Sequence, residues 1–155
     1  MTRRKAAAQL DREIAETLTQ AKSARRVTVY HGTRRASAIL AHGFVPSTGG
    51  EFGPGIYFSE NPDTAAYYAL HVARGDEEPM ILATTVDVSR FFEIRKVDWI
   101  QRTQRRTPRT VQAELRRRGY TGIIGIAINE YERQIVAFDT SSSIVGPVRI
   151  FKRAA

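Results

Sequence analysis

Val27-Thr28-Val29-Tyr30-His31-Gly32-Thr33 and, beyond a loop, Gly53-Pro54-Gly55-Ile56-Tyr57-Phe58 are the stretches on which the reading of this chain turns. The run Val27-Thr28-Val29 predicts a strand reaching His31, because β-branched side chains favour extended backbone. Residues 45–55 carry prolines and glycines and read as a loop. Ile56-Tyr57-Phe58 then reads as a second short strand. His31 and Tyr57 stand 57 − 31 = 26 positions apart, each on a strand.

Working outward, Ala7, Leu10, Ile14, Leu18 and Ala21 recur at three- and four-residue steps, which predicts an amphipathic helix over 5–22. With the basic lead Arg3-Arg4-Lys5 this helix belongs to an N-terminal segment, 1–26, ahead of a domain over 27–155. No linker divides the chain further, so a single domain is expected overall. Ala36 to His42 reads as a short helix stopped by Gly43. Asn61 caps a helix with Pro62 in its first turn, running to about Arg74. Met80 to Val88 is β-rich. Thr107-Pro108 opens another helix, closed by Gly119. Residues 123–128, 134–138 and 144–151 read as strands. The mixed order gives an α+β class with a mostly antiparallel sheet or pair of sheets.

The chain has 155 residues, enough for one domain with a real core, and no cysteine, which excludes disulfide and thiolate chemistry. No apolar run approaches the roughly 18 residues that cross a bilayer, so no membrane partner is expected. A polar stretch follows the basic start, and no secretory signal is read there. Cytoplasmic placement is expected; a toxin or effector delivered without a signal peptide fits equally. No metal-ligand cluster is read, and no metal is expected. The net charge of +8 comes largely from arginine, clustered at 25–26, 34–35, 102–109 and 116–118. Such an excess attracts polyanions and points toward nucleic acid, although no aromatic is interleaved with the run from Arg102 to Arg118. A solvated arginine-rich surface is the plainer reading.

Three pieces in order carry a resemblance: Tyr30-His31-Gly32-Thr33; Gly53 to Phe58 with Tyr68 on the helix after it; and Ile135-Val136-Ala137-Phe138-Asp139-Thr140-Ser141. Together they resemble the His-Tyr-Glu/Gln branch of ADP-ribosyltransferases, which holds diphtheria toxin and the poly(ADP-ribose) polymerases. Arg118-Gly119-Tyr120-Thr121-Gly122-Ile123-Ile124 also resembles a segment of small bacterial and phage members. The resemblance implies a split β-sheet clamp with flanking helices, gripping a bent NAD. It implies that His31, with Thr33 nearby, binds the adenosine ribose, and that Gly32 offers backbone groups to the nicotinamide carboxamide. Tyr57 and Tyr68, 68 − 57 = 11 apart as the family spaces them, would sandwich the nicotinamide ring. The serine that the family often has three residues before this second tyrosine is here Ala65, with Thr64 as a substitute. His42 and His71 read as structural.

The third triad position departs from the family's common glutamate. Counting five residues back from Asp139 gives Gln134, hence His31-Tyr57-Gln134. Glu132 is the alternative and Glu130 a third; all three alternate and share a strand face. The resemblance implies cleavage of the nicotinamide–ribose bond through an oxocarbenium-like ribose. Gln134 can hydrogen-bond a ribose hydroxyl through its amide oxygen, but it is no useful general base. That favours single transfer over polymer building. The reading is a mono-ADP-ribosyltransferase that moves ADP-ribose from NAD to a protein or nucleic-acid acceptor. The alternatives are a non-catalytic NAD or ADP-ribose binding module on the same fold, and a basic nucleic-acid-binding protein. Glu130-Tyr131-Glu132 matches the Glu-x-Glu of the arginine-specific branch, but His31 stands where that branch needs arginine.

Overall fold

The computed structural model describes residues 25–127 and 132–155, together with Gln9 and Arg12. The expected helix over 5–22 lies, apart from those two helical residues, outside this set, as does Glu130. The elements in chain order are β1 (Arg26–Thr33), α1 (Ala36–His42), β2 (Ile56–Ser59), α2 (Pro62–His71), β3 (Met80–Asp87), β4 (Phe91–Arg95), α3 (Lys96–Arg102), α4 (Pro108–Arg117), β5 (Gly122–Ile126), β6 (Arg133–Ala137) and β7 (Arg149–Arg153). The class is α+β, compatible with an ADP-ribosyltransferase-like fold.

The strands form one sheet rather than a pair, in the order β4-β5-β6-β2-β1-β3-β7. Every pairing is antiparallel except β4 with β5, which run parallel and are joined through α3 and α4. The sheet has a seam. β1 pairs with β3 along its whole length, from Arg26 opposite Asp87 to Thr33 opposite Met80, yet meets β2 only at Tyr30 opposite Ser59. Past that point no other described strand lies beside the second edge of β1, which offers its outward backbone groups elsewhere.

Alternation along the strands sends side chains to two cores, one on each face. Val29, Ile56, Phe58, Ile124, Ile135 and Ala137 join Phe44 on the first. Ile123, Val136 and Phe138 join Phe52, Trp99, Val111 and Leu115 on the second, with Tyr57 packed against them. Two separate covers lie over this second face. Over β5 and β6 these are α3, α4 and the loop before β2; over β1 it is α2, whose backbone sits directly on Gly32.

Two elements are bounded differently from the sequence reading by three residues or more, and two further elements are new. The helix expected to reach Arg74 ends at His71, because the amides of Val72 and Ala73 both turn onto the Tyr68 carbonyl. The strand expected over 144–151 lies at 149–153; Gly146-Pro147 interrupts it, and Ile144 makes only an isolated bridge to Val86. β4 and α3 were not anticipated, although Phe92 and Ile94 alternate with exposed Glu93 and Arg95 as a half-buried strand requires.

Candidate active site

The seam opens into a cleft of ≈ 240 Å³ between the two covers of the second face. Tyr30, Gly32, Tyr57, Ser59 and Gln134 line its floor, Thr64, Ala65 and Tyr68 the α2 side, and Glu51, Phe52 and Lys96 the opposite wall. The register explains the floor. Gln134 is paired with Ser59, which is paired with Tyr30, and directly paired residues share a face. Tyr57 is two residues before Ser59 and shares it too.

His31 lies in the seam itself. Its ring packs edge-on against Phe44 and Phe58, at centroid distances of 5.1 and 5.8 Å. Its Nδ1–H donates to the carbonyl of Tyr57 at 2.8 Å. A carbonyl can only accept, so this bond fixes the tautomer and leaves Nε2 as the ring's acceptor. Among the described residues no sealed polar side-chain atom lacks a hydrogen bond, so Nε2, which has no such partner, keeps an open side. Burial pushes the His31 pKa below its usual value against the opposing effect of the Tyr57 carbonyl, so the ring is neutral at pH 7.

Tyr57 has a different anchor. Its hydroxyl donates to the Gly53 carbonyl at 2.6 Å and accepts from the Phe52 amide at 2.9 Å. Gly53 has φ +91°, a conformation that suits glycine, in the turn where its carbonyl meets the phenol. Desolvation pushes the Tyr57 pKa up to about 12, opposed by the Phe52 amide and helped by the charge of Glu51. The phenol is therefore a neutral strut, and its ring is the part left to meet a ligand. Tyr68 lies across the cleft and is 46% exposed. Its neighbour Tyr67 instead packs at a tilt against His71, with ring centroids 4.6 Å apart.

The third-position candidates separate. Gln134 is in β6 on the cleft floor, and its amide makes no hydrogen bond to another described residue. Glu132 also lines the cleft but precedes the strand, and its carboxylate accepts a hydrogen bond from the Thr64 hydroxyl at 2.9 Å. That bond also occupies Thr64, the expected substitute for the family serine. Thr33 is buried away from the cleft lining, where its hydroxyl accepts from the Arg35 amide at 2.9 Å. Asp139 stands outside the lining as well, accepting from Ser141 and from the amide and hydroxyl of Ser142.

Sequence reading missed what holds the cleft wall. Gln112 on α4 is 3% exposed, and its Nε2 donates to the carbonyls of Phe52 at 3.0 Å and Pro54 at 2.6 Å. Trp99 Nε1–H donates to the Glu51 carbonyl at 2.8 Å, and Arg109 donates to the Thr48 carbonyl at 2.8 Å. Lys96 pairs with Glu51 at 2.8 Å on the rim. The loop read over 45–55 is thus tied down along its length. The one available signal was a polar Gln112 on the apolar stripe of Val111 and Leu115.

The family model for the poly(ADP-ribose) polymerase catalytic domain matches residues 5–118. The chain belongs to this family. A comparison of the whole sequence with curated proteins gives no match. The polymerase-family span contains His31, Tyr57 and Tyr68 and ends 134 − 118 = 16 residues before Gln134. The case for Gln134 therefore rests on β6 pairing beside β2. Among the described residues no group of His, Cys, Asp and Glu is arranged to hold a metal ion, and no helix is long and apolar enough to cross a membrane.

Proposed function

We propose that this polymerase-family domain is a mono-ADP-ribosyltransferase, binding NAD in the seam cleft and passing ADP-ribose to a macromolecular acceptor, protein or nucleic acid. The observation that carries the proposal is the His31–Tyr57 bond across the seam, with Gln134 on the same floor. Family membership supports transferase chemistry with NAD as substrate. The cleft fits such a ligand chemically, with an open imidazole acceptor, tyrosines on two sides and an unladdered strand edge.

When bound, NAD supplies the C1′–N glycosidic bond: nicotinamide leaves neutral with the bonding pair, the acceptor's nucleophile takes C1′, and its proton passes to solvent. His31 Nε2 accepts from a ribose hydroxyl. The faces of Tyr57 and Tyr68 attract a cationic ring. The free edge of β1 at Gly32 offers backbone donors and acceptors to a carboxamide. The Gln134 amide oxygen accepts from the second ribose and places partial negative charge beside the reacting carbon, where positive charge develops. Gln134 does not take a proton, which favours one transfer onto an acceptor that is already nucleophilic. A non-catalytic NAD-binding module is the second reading, favoured by that same missing carboxylate.

Nicotinamide release from NAD, followed with and without cell lysate, tests the proposal. Release that rises with lysate and falls in Tyr57→Ala at sub-saturating NAD is expected. NAD-dependent thermal stabilisation without any release would leave the binding module.

A further inference from the structure

The stretch from Gln101 to Gly119 carries seven arginines and a single carboxylate, Glu114. That carboxylate is already shared by Arg106 at 2.6 Å and Arg118 at 3.2 Å. Arg105, Arg106, Arg109, Arg116 and Arg117 are all exposed. Arg109 and Arg116 are seven positions apart on α4, so they recur on one face about 10 Å apart along its axis. Arg116 is held in place by the Phe138 carbonyl at 2.9 Å and lies over the Phe138 ring.

The other exposed residues of this stretch are Gln101, Gln104, Thr107, Thr110, Ala113 and Gly119, with no large apolar side chain among them. A protein-binding surface is built around a cluster of desolvated aromatic or aliphatic anchors; beside this stretch stands a lone exposed Ile100, at the end of α3. The stretch has guanidinium forks, which match phosphate oxygens in pairs.

The same helix faces both ways. Inward, Gln112 holds the carbonyls of Phe52 and Pro54; beside it Arg109 holds that of Thr48. These belong to the loop whose Glu51 and Phe52 form the cleft wall. The cleft lining adds Lys96, paired with Glu51, and Arg133, paired with Glu93. The excess basic charge therefore lies on α4 and the turn before it, on the far side of the cleft wall.

We infer that the face from the end of α3 along α4 docks the phosphate backbone of a nucleic acid, which is the acceptor presented to the cleft. This rests on the transferase reading for the reaction but not for the binding. The test is fluorescence anisotropy with labelled oligothymidylate, oligouridylate and a DNA duplex, each titrated across a salt series, with polyglutamate as the acidic polypeptide comparison. Arg105→Gln/Arg117→Gln changes two exposed arginines of the face, and Arg149→Gln/Arg153→Gln is the control on β7, at the opposite edge of the sheet.

Two lost phosphate contacts should lower the slope of log affinity against log salt by about 1.4 on a single strand. That is a loss on the order of tenfold at ~0.15 M salt. The control should bind as the unmodified chain does, and NAD-dependent thermal stabilisation should persist in both variants. Equal losses in the control, or polyglutamate binding as tightly as the oligonucleotides, would overturn the inference. So would labelling confined to protein when lysate is incubated with labelled NAD. In each case nicotinamide release would still report separately on the transferase reading.

Discussion

Gln112→Leu is the substitution whose effect is best worked out from the structure. Leucine approximates the shape of glutamine and suits the apolar stripe of α4, so packing is largely kept. What disappears is the Nε2 donor to the Phe52 and Pro54 carbonyls. Phe52 is buried and Pro54 half-buried, so the first carbonyl gains little water and the second some. Stranding a buried polar group costs about 1–3 kcal/mol. One full and one partial loss give about 3 kcal/mol, or a fall in Tm of roughly 6–12 °C for a domain of this size. Because the Gly53 carbonyl lies between the two freed groups and holds the Tyr57 hydroxyl, NAD affinity should also weaken several-fold. Urea and thermal unfolding measure the first effect, and calorimetry with NAD the second. A stability change below about 1 kcal/mol would refute the view that α4 holds the cleft wall. Lost stability with unchanged NAD affinity would refute the link from wall to Tyr57.

Tyr57→Ala removes one stacking face and should weaken NAD binding by about 1 kcal/mol or more, read by calorimetry; equal affinity would remove Tyr57 from the site. Tyr57→Phe should be less stable than the unmodified chain below pH 10, with the gap closing as pH rises from 10 toward 12. The folded phenol keeps its proton there while the unfolded one loses it, so the phenol's contribution is lost over that window; a constant gap in urea unfolding would contradict the raised pKa. His31→Ala should keep the circular dichroism of the fold and lose nicotinamide release, and wild-type turnover in a folded variant would exclude the role. Gln134→Ala should lose more transfer activity than Glu132→Ala in initial-rate assays, and the reverse order would move the third position to Glu132.

The parts of the site legible in the sequence are those that local chemistry announces. β1 shows its β-branched run, α2 its Asn61 cap and Pro62, and the site pair His31–Tyr57 its separation from strand to strand. The seam that joins that pair was implied only through family resemblance, because nothing local says that β1 and β2 share a single register position. What Gln112, Trp99 and Arg109 hold was illegible for another reason. Their partners lie 60, 48 and 61 residues away, and each partner is a backbone carbonyl, which has no signature in sequence. β7 was misplaced because the apolar residues at 144 and 145 looked continuous with those beyond Gly146-Pro147. Thr33 belongs to the right motif, but its burial depends on the turn after β1.

A missing methyl group sets the width of the cleft. A Cβ at Gly32 would overlap the Ala65 carbonyl and stand 2.8 Å from the Ala69 nitrogen. Tyr68 follows Ala65 by less than one turn, so any larger residue at 32 displaces the platform that carries it. Failure of a Gly32→Ala variant is therefore ambiguous evidence for ligand contact, since it reports helix displacement first. Descendants of this chain have little freedom on that flank. Divergence in what the cleft accepts is channelled to the opposite bank, where the tethers are side chains and can be exchanged one at a time.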